Sequence, residues 1–493
     1  MKKLLTAAIA VFILYSCSDD LTEGNNSDSS QQKELLSPEQ INKYVDQQLQ
    51  ETGDVDWTNA PAQILWSAAV NGDMMLNIGY GTDDDYFAET KSNEINDLKN
   101  QILEIVADKE SLTEKEVLID DHDFFYQLEV SVTRIETIQA LQNLQGIRYI
   151  DPIGYSYEMA GEQKSNSGCN QSPDNINTAD YTNISPGARM PWNFNIHNID
   201  DAWNYSTGSG VTLAVIDTGL TPNNYLMNAG FNDGASTGRN VQRYGNFIDS
   251  SWWWSNNVDG PNDRCGHGSQ MASVAAAPRN NDKLPVGVAY NSNLVVYRST
   301  EDVVLNDYHE RKGVSEALRT LGNRSDVKII SMSIGYVWSI GNIKDAVRYA
   351  NSRGKLIFAA GGTSTSFTNW YGVIFPASMS ETVAVTGIKD NGYNRCDVCH
   401  SGSKIDFTVT MQRANNSNRT VPVLGFNTGQ QKYVGGSSVA TATTAGIAAL
   451  VWSKNPSWTK TQVLNKLKQS AHFYPNRNSS YGYGNIDALQ AVQ

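Results

Sequence analysis

The chain is poor in positive charge. Of its 493 residues, 38 are Lys or Arg against 52 Asp or Glu, a net charge of −14. That balance excludes a nucleic-acid-binding role, which needs a basic surface. The apolar stretch from Leu4 to Leu14 is too short to span a membrane permanently. No fixed-period repeat is visible, which excludes a repeat architecture. Cysteine is sparse, at five residues. A lone Cys396-Asp397-Val398-Cys399, with no second such pair and no histidine pair beside it, favours a structural disulfide over zinc or redox chemistry. What is present is ample apolar material. Hydrophobic residues make up 40% of the chain, with frequent Gly, Trp and Tyr. A large core and two or three domains follow, and global disorder does not.

The N-terminus carries a processing signal. Lys2 and Lys3 precede the Leu4–Leu14 run, which ends Leu14-Tyr15-Ser16-Cys17. This segment resembles a bacterial lipobox. The resemblance implies a signal peptide over residues 1–16 and a lipid-bearing Cys17. Ser18-Asp19-Asp20 resembles the acidic surface-export signal of Bacteroidetes lipoproteins, which implies an outward-facing outer-membrane location. An ordinary secretory signal, with a periplasmic or secreted product, is the alternative. Residues 17–33 then form a lipidated, flexible tether. Cys169, Cys265, Cys396 and Cys399 would pass through an oxidising compartment. Three pairings are open to them.

Residues 34–160 form one small α+β unit. Tyr126–Val132 alternates with period two, as a half-buried strand does. Ile135, Ile138, Leu141 and Leu144 follow at helical spacing, Gly146 stops the helix, and Ile147–Ile150 begins another strand. Residues 161–190 are rich in Ser, Asn, Asp, Gln and Gly without periodicity, and are expected to be a linker open to proteolysis. From residue 191 to 493 strands and helices alternate. Val211–Ile216, Leu294–Tyr297, Val327–Met332, Leu356–Ala360 and Thr382–Thr386 are short apolar runs, with Gly313–Leu321 and Ile343–Ser352 helical between them. Such a pattern predicts an α/β fold, a parallel sheet with helices on both faces. Asp217 and Gly361 stand at the C-terminal ends of their strands, where such sheets place their active sites.

Three segments carry chemistry. Val211–Ile216 leads into Asp217-Thr218-Gly219. Cys265-Gly266-His267-Gly268-Ser269 sets a histidine between glycines. Gly436-Ser437-Ser438-Val439-Ala440 opens a helix of small residues. Singly these are a turn, a loop and a helix cap. In the order acid, histidine, serine they resemble the subtilisin-like serine proteases. Gly287-Val288-Ala289, Ser331-Met332-Ser333-Ile334-Gly335, Phe375-Pro376-Ala377-Ser378 and Tyr481–Ala488 resemble landmarks of that family, in family order. The segment Leu144–Pro152 resembles the end of a subtilisin propeptide. By this resemblance residues 34–160 are a ferredoxin-like propeptide, an intramolecular chaperone and inhibitor cut away in the linker.

The resemblance implies that Ser438 is the nucleophile, His267 the base and Asp217 the group that fixes the imidazole. Ser437 is the rival hydroxyl, and family register selects Ser438. The Ser438 backbone N–H would face the oxyanion. One departure stands out. Where the family has Gly-Asn after the Leu356–Ala360 strand, this chain has Gly361-Gly362, and Gly362 offers no amide. Thr363, Ser364, Asn369 or a water is each a candidate replacement. Ala442 stands where a Pro is usual and Gln270 where a His is usual, both with consequences for packing. Ser333, Ile334 and Gly335 would pair with substrate backbone. Gly361 would line the primary specificity pocket and Tyr336 would narrow it.

Three features keep their plainer readings. Glu301, Asp302, Asp307 and Glu310 are expected to form a solvated charged loop. The loop of Trp252-Trp253-Trp254 is expected to pack against the domain rather than expose a binding face. Asp121-His122-Asp123 is expected to be a polar turn. No cofactor is needed for the chemistry, no metal ligand set is assigned, and calcium enters only as a stabiliser common in the family. The expectation is a monomeric serine endopeptidase acting on polypeptides. A catalytically impaired peptide-binding descendant and a thiol redox protein acting through Cys396 and Cys399 are the alternatives.

Overall fold

The computed structural model describes residues 34–82, 92–157, 168–250, 252, 254–363 and 372–493. Leu35–Gln493 forms one compact unit. The expected lipobox, Cys17 and the expected tether to Lys33 lie outside the described residues. Among the described residues no helix is long and apolar enough to cross a membrane.

Among the described residues fifteen strands follow one another along the chain. The N-terminal region holds β1 (Met75–Tyr80), β2 (Leu118–His122), β3 (Gln127–Ser131) and β4 (Ile147–Asp151). A hairpin follows, β5 (Tyr181–Ile184) and β6 (Ala188–Pro191). The large sheet is built from β7 (Thr212–Asp217), β8 (Val241–Gly245), β9 (Asn293–Arg298), β10 (Val327–Met332), β11 (Leu356–Ala360), β12 (Thr382–Lys389) and β13 (Phe407–Gln412). A second hairpin joins β14 (Val421–Leu424) to β15 (Gln431–Val434).

The seven strands run in the order β13-β12-β11-β10-β7-β9-β8, every pairing parallel. The near-continuous apolar runs require this, because helices cover both faces. Alternation along each strand splits the core in two. Leu213, Val215, Leu294 and Val296 point to one face, with Ala440 and Ala448 of the Gly436–Lys454 helix and Met271 of the His267–Ala276 helix. Ala214, Ile216, Val295 and Tyr297 point to the other, with Val314 and Ala346 of the helices Tyr308–Asn323 and Gly341–Ser352. The Gly436–Lys454 helix is buried from Gly436 to Trp452. Its small residues permit close approach: a Cβ on Gly446 would stand 2.6 Å from Val288 Cβ.

The N-terminal α+β unit is a four-stranded sheet, order β2-β3-β1-β4, with antiparallel pairings. Helices Pro38–Thr52, Ala62–Asn71, Asn93–Glu110 and Ile135–Gln142 accompany it. Its buried residues form one cluster with the outer pair of helices of the large unit. Polar contacts fix the register. Arg148 Nη1 donates to Asp345 Oδ1 at 2.9 Å, and Gln127 and Tyr149 donate to Asp345 Oδ2, each at 2.9 Å. The Gly341 N–H donates to Asp151 Oδ2 at 2.6 Å, Tyr308 to Glu129 at 2.5 Å, and Arg311 to the carbonyls of Ile153 and Tyr155.

The linker expected over 161–190 is built structure from Gly168 onward. Cys169 is joined to Cys265 and Cys396 to Cys399, which selects one of the three pairings. The Asp174 N–H donates to Gln431 O at 2.9 Å, and Asp180 accepts from Arg413, Arg419 and Tyr433. The polar side chains that look solvated in sequence are instead partners of the large unit.

Candidate active site

Asp217 ends β7, beside β9 and β10, where the chain's path through the sheet reverses. It is fully buried. His267 begins its helix, and its Nδ1–H donates to Asp217 Oδ1 at 2.8 Å. The Thr218 N–H donates to the same oxygen, also at 2.8 Å. Asp217 Oδ2 is buried with no hydrogen-bond donor. Burial works against the imidazolium. The Asp217 carboxylate, together with the Asp263 and Asp302 charges, outweighs it and raises the His267 pKa above the ordinary histidine value.

The glycines around His267 are steric requirements. Gly266 takes φ +98°, and a Cβ on Gly268 would stand 2.5 Å from Gly219 O. The turn is held by Asp263, which sequence reasoning missed. One of its oxygens accepts from Cys265 N–H, Gly266 N–H and Thr218 Oγ1; the other accepts from Ser269 N–H and Oγ. Burial still pushes the Asp263 carboxyl up. No sequence motif marks it, since a single Asp before a turn is common.

Ser438 lies in the first turn of its helix, 8% exposed, whereas Ser437 is fully buried. Ser437 Oγ lies 2.9 Å from Thr363 Oγ1, and the Gly362 N–H donates to it at 3.3 Å. The Thr363 hydroxyl also accepts the Ser437 N–H at 3.2 Å. Thr363 is thus committed to Ser437, while Ser364 and Asn369 lie outside the described residues. Ser333 Oγ donates to Ser438 O at 3.2 Å. No hydrogen bond joins His267 Nε2 to the Ser438 hydroxyl, a contact that commonly tightens only with substrate bound.

Gly362 takes φ +125°, and His400 covers it: a Cβ there would stand 2.4 Å from His400 Nδ1. His400 Nδ1 donates to Gly372 O at 2.9 Å, and burial lowers its pKa. Gly361 pairs with Val385 and Ile374 through its backbone, and a Cβ on it would meet Ile405 at 2.6 Å.

Several expectations are corrected. Tyr336 does not face the Gly361 region: its ring packs on Trp338 and its hydroxyl accepts the Tyr157 N–H at 2.8 Å. The Gly335 N–H and C=O are engaged by Val303 O and Leu305 N–H, each at 3.0 Å, so Gly335 does not offer the backbone groups expected of it. Glu310 is no solvated acid. It is 2% exposed and caps its own helix by accepting from the Glu301 and Asp307 N–H groups. Burial and the nearby Asp302 and Asp307 charges raise its pKa well above the carboxylate range. Trp252 and Trp254 are 60% and 56% exposed with ring centroids 4.7 Å apart, so these two rings are not packed against the domain. Asp121 and His122 end a strand, and only Asp123 belongs to the expected turn. Asp120, His122 and Glu129 approach one another closely enough to hold a metal. They fit calcium poorly, because Lys312 and Tyr308 already occupy the carboxylates and a histidine nitrogen is a weak ligand for that ion.

A model of the subtilase family matches residues 208–484. The thermostable alkaline protease of Halalkalibacterium halodurans is 29% identical over 62% of this chain and 74% of its own length. The alkaline elastase YaB of a Bacillus strain is 30% identical, with 62% and 70% covered. Among solved structures, MycP1 from Mycobacterium smegmatis superimposes with a TM-score of 0.48 at 21% identity, covering 65% of this chain and 89% of that one. The chain belongs to the subtilase family and is a serine endopeptidase.

Proposed function

We propose that the chain hydrolyses peptide bonds through an Asp217-His267-Ser438 triad and an acyl-enzyme. The observation that carries this is the 2.8 Å bond from His267 Nδ1 to a fully buried Asp217, with Ser438 in the first turn of a helix that shares its core cluster with the His267–Ala276 helix. That bond leaves Nε2 as the proton acceptor. His267 takes the Ser438 proton as the oxygen attacks the substrate carbonyl, then gives it to the leaving amine. Asp217 holds the tautomer and stabilises the imidazolium. The oxyanion is met by the Ser438 N–H and the helix N-terminus. Ser333 and Ile334 bind substrate backbone, and Gly361 lines the pocket for the residue before the scissile bond.

The N-terminal α+β unit acts as the propeptide, inhibitor and folding partner. Its support is the docking on Asp345, Gly341, Tyr308 and Arg311. Residues 1–16 serve as a signal peptide, Cys17 bears the lipid, and the protein works as a monomer at the outer membrane. The second reading, an impaired peptide-binding protein, is favoured by one observation: Gly362 supplies no side-chain donor.

The test is intact mass and N-terminal sequencing of the protein beginning after Cys17, wild type beside Ser438→Ala. The triad predicts that wild type loses a fragment ending between about Ala160 and Pro191 while the variant stays whole. If both stay whole and a fluorophosphonate fails to label Ser438, the binding-protein reading replaces it.

A further inference from the structure

The segment from Gly168 to Asp174 passes close to the proposed triad. Gly168 stands beside the ring of the proposed base. A Cβ on it would stand 3.3 Å from His267 Cδ2 and 3.0 Å from Val303 Cγ1. It therefore lies between the histidine ring edge and the Val303–Leu305 segment that bonds to Gly335. The next residue, Cys169, is bonded to Cys265, two positions before His267. Gln270 Nε2 donates to Asn170 O at 2.9 Å, and Gln171 Nε2 to Arg264 O at 2.5 Å. Lys432 Nζ donates to Ser172 O at 2.8 Å, and the Tyr433 N–H to Asp174 Oδ2 at 3.0 Å. Every one of these anchors belongs to the large unit. A cut N-terminal to Gly168 leaves the strip in place.

An extended substrate running along Ile334 and Ser333 to Ser438 alternates its side chains. If the residue before the scissile bond points toward Gly361, the one preceding it points the other way, toward His267 and Gly168. We propose that Gly168, stapled by Cys169–Cys265, is a specificity-determining residue. It leaves room at that second acyl-side position for a glycine or alanine and turns away larger side chains. Gln270, where the family's usual histidine is absent, is a positioning residue that holds the strip through Asn170.

The inference rests on the triad reading. Its test is kcat/KM on peptides identical except for Gly, Ala, Leu or Phe at that position. Wild type is compared with Cys169→Ala/Cys265→Ala and with Gln270→Ala, each normalised to sites titrated by a fluorophosphonate. Wild type is expected to prefer Gly over Leu about tenfold or more, mainly through KM. The double variant should bring that ratio within about threefold, and Gln270→Ala, which keeps the disulfide, should lower it partway. A ratio unchanged in both titratable variants overturns the proposal. If the double variant does not fold, an unchanged ratio in Gln270→Ala overturns it alone. A wild type that neither labels nor cleaves removes the triad reading, and the proposal with it.

Discussion

Restoring the missing oxyanion donor should fail as a single change. In Gly362→Asn the new Cβ falls 2.4 Å from His400 Nδ1, 2.8 Å from Cγ and 3.0 Å from Cε1, at a φ of +125° that side-chain-bearing residues rarely adopt. The ring cannot move aside freely, because Nδ1 is tied to Gly372 O at 2.9 Å and the His400 N–H to Gly362 O at 2.9 Å. Backbone strain of this kind costs about 1–3 kcal/mol and an overpacked contact about as much again. A single oxyanion donor is worth about 10²–10³ in kcat, a figure that itself comes from a subtilisin variant. The expected result for Gly362→Asn is a thermal midpoint lowered by several degrees and kcat no higher than wild type. Adding His400→Ala opens the space, and the double variant should turn over about tenfold faster than Gly362→Asn alone. The assays are differential scanning fluorimetry with the mature enzyme and kcat on one peptide, both per titrated site. A Gly362→Asn enzyme that melts with wild type and gains a hundredfold in kcat would refute the steric argument.

Asp263→Ala should cut kcat/KM about tenfold or more and lower the melting point, since five donors around the His267 turn lose their acceptor. In a pH profile, kcat/KM should rise with pH as His267 loses its proton. The midpoint should lie above the ordinary histidine value of 6.5, because Asp217, with Asp263 and Asp302, outweighs burial in raising that pKa. Asp345→Ala should weaken inhibition by the separately made N-terminal unit about 10²-fold or more in Ki, because Arg148 would be left buried without its carboxylate. Asp151 is pushed up to about 7 by burial, against the pull of the Gly341 N–H and of Lys344 and Arg311, with Asp54 adding to the rise. A raised carboxyl favours the docked state in acid, so inhibition should weaken as pH climbs from about 4 to 7. Asp151→Asn should flatten that dependence in the same Ki assay.

The large sheet is legible because its central strands are buried on both faces. Val327–Met332 and Leu356–Ala360 appear in sequence at their observed bounds. The edges are not. Val241–Gly245 carries Gln, Arg and Tyr on a half-solvated edge, and Phe407–Gln412 alternates Thr with apolar residues although it is buried throughout. Thr408 and Thr410 spend their hydroxyls on Asn485, a partner 77 and 75 positions away. The same blindness to distant partners hid the strip at 168–174. Asp217, His267 and Ser438 could be named because motif and order specify them. Tyr336 could not be placed, because its direction is set by Trp338 and by Tyr157 of another region.

The Cys169–Cys265 bond closes a covalent ring separated by 96 positions. Asp217 and the exposed Trp252 and Trp254 all lie within it. A protease lives among its own copies, and surface loops are where one copy nicks another. A nick beside the tryptophans would open the ring into a line without releasing a piece. The acid would stay linked to the base, and the break would show on a gel only after reduction. Until such a nick, the ring also limits the unfolded chain, worth about 4.7 kcal/mol for a loop of this length. With the proposed cut N-terminal to Gly168, that constraint stays with the part that keeps Asp217, His267 and Ser438.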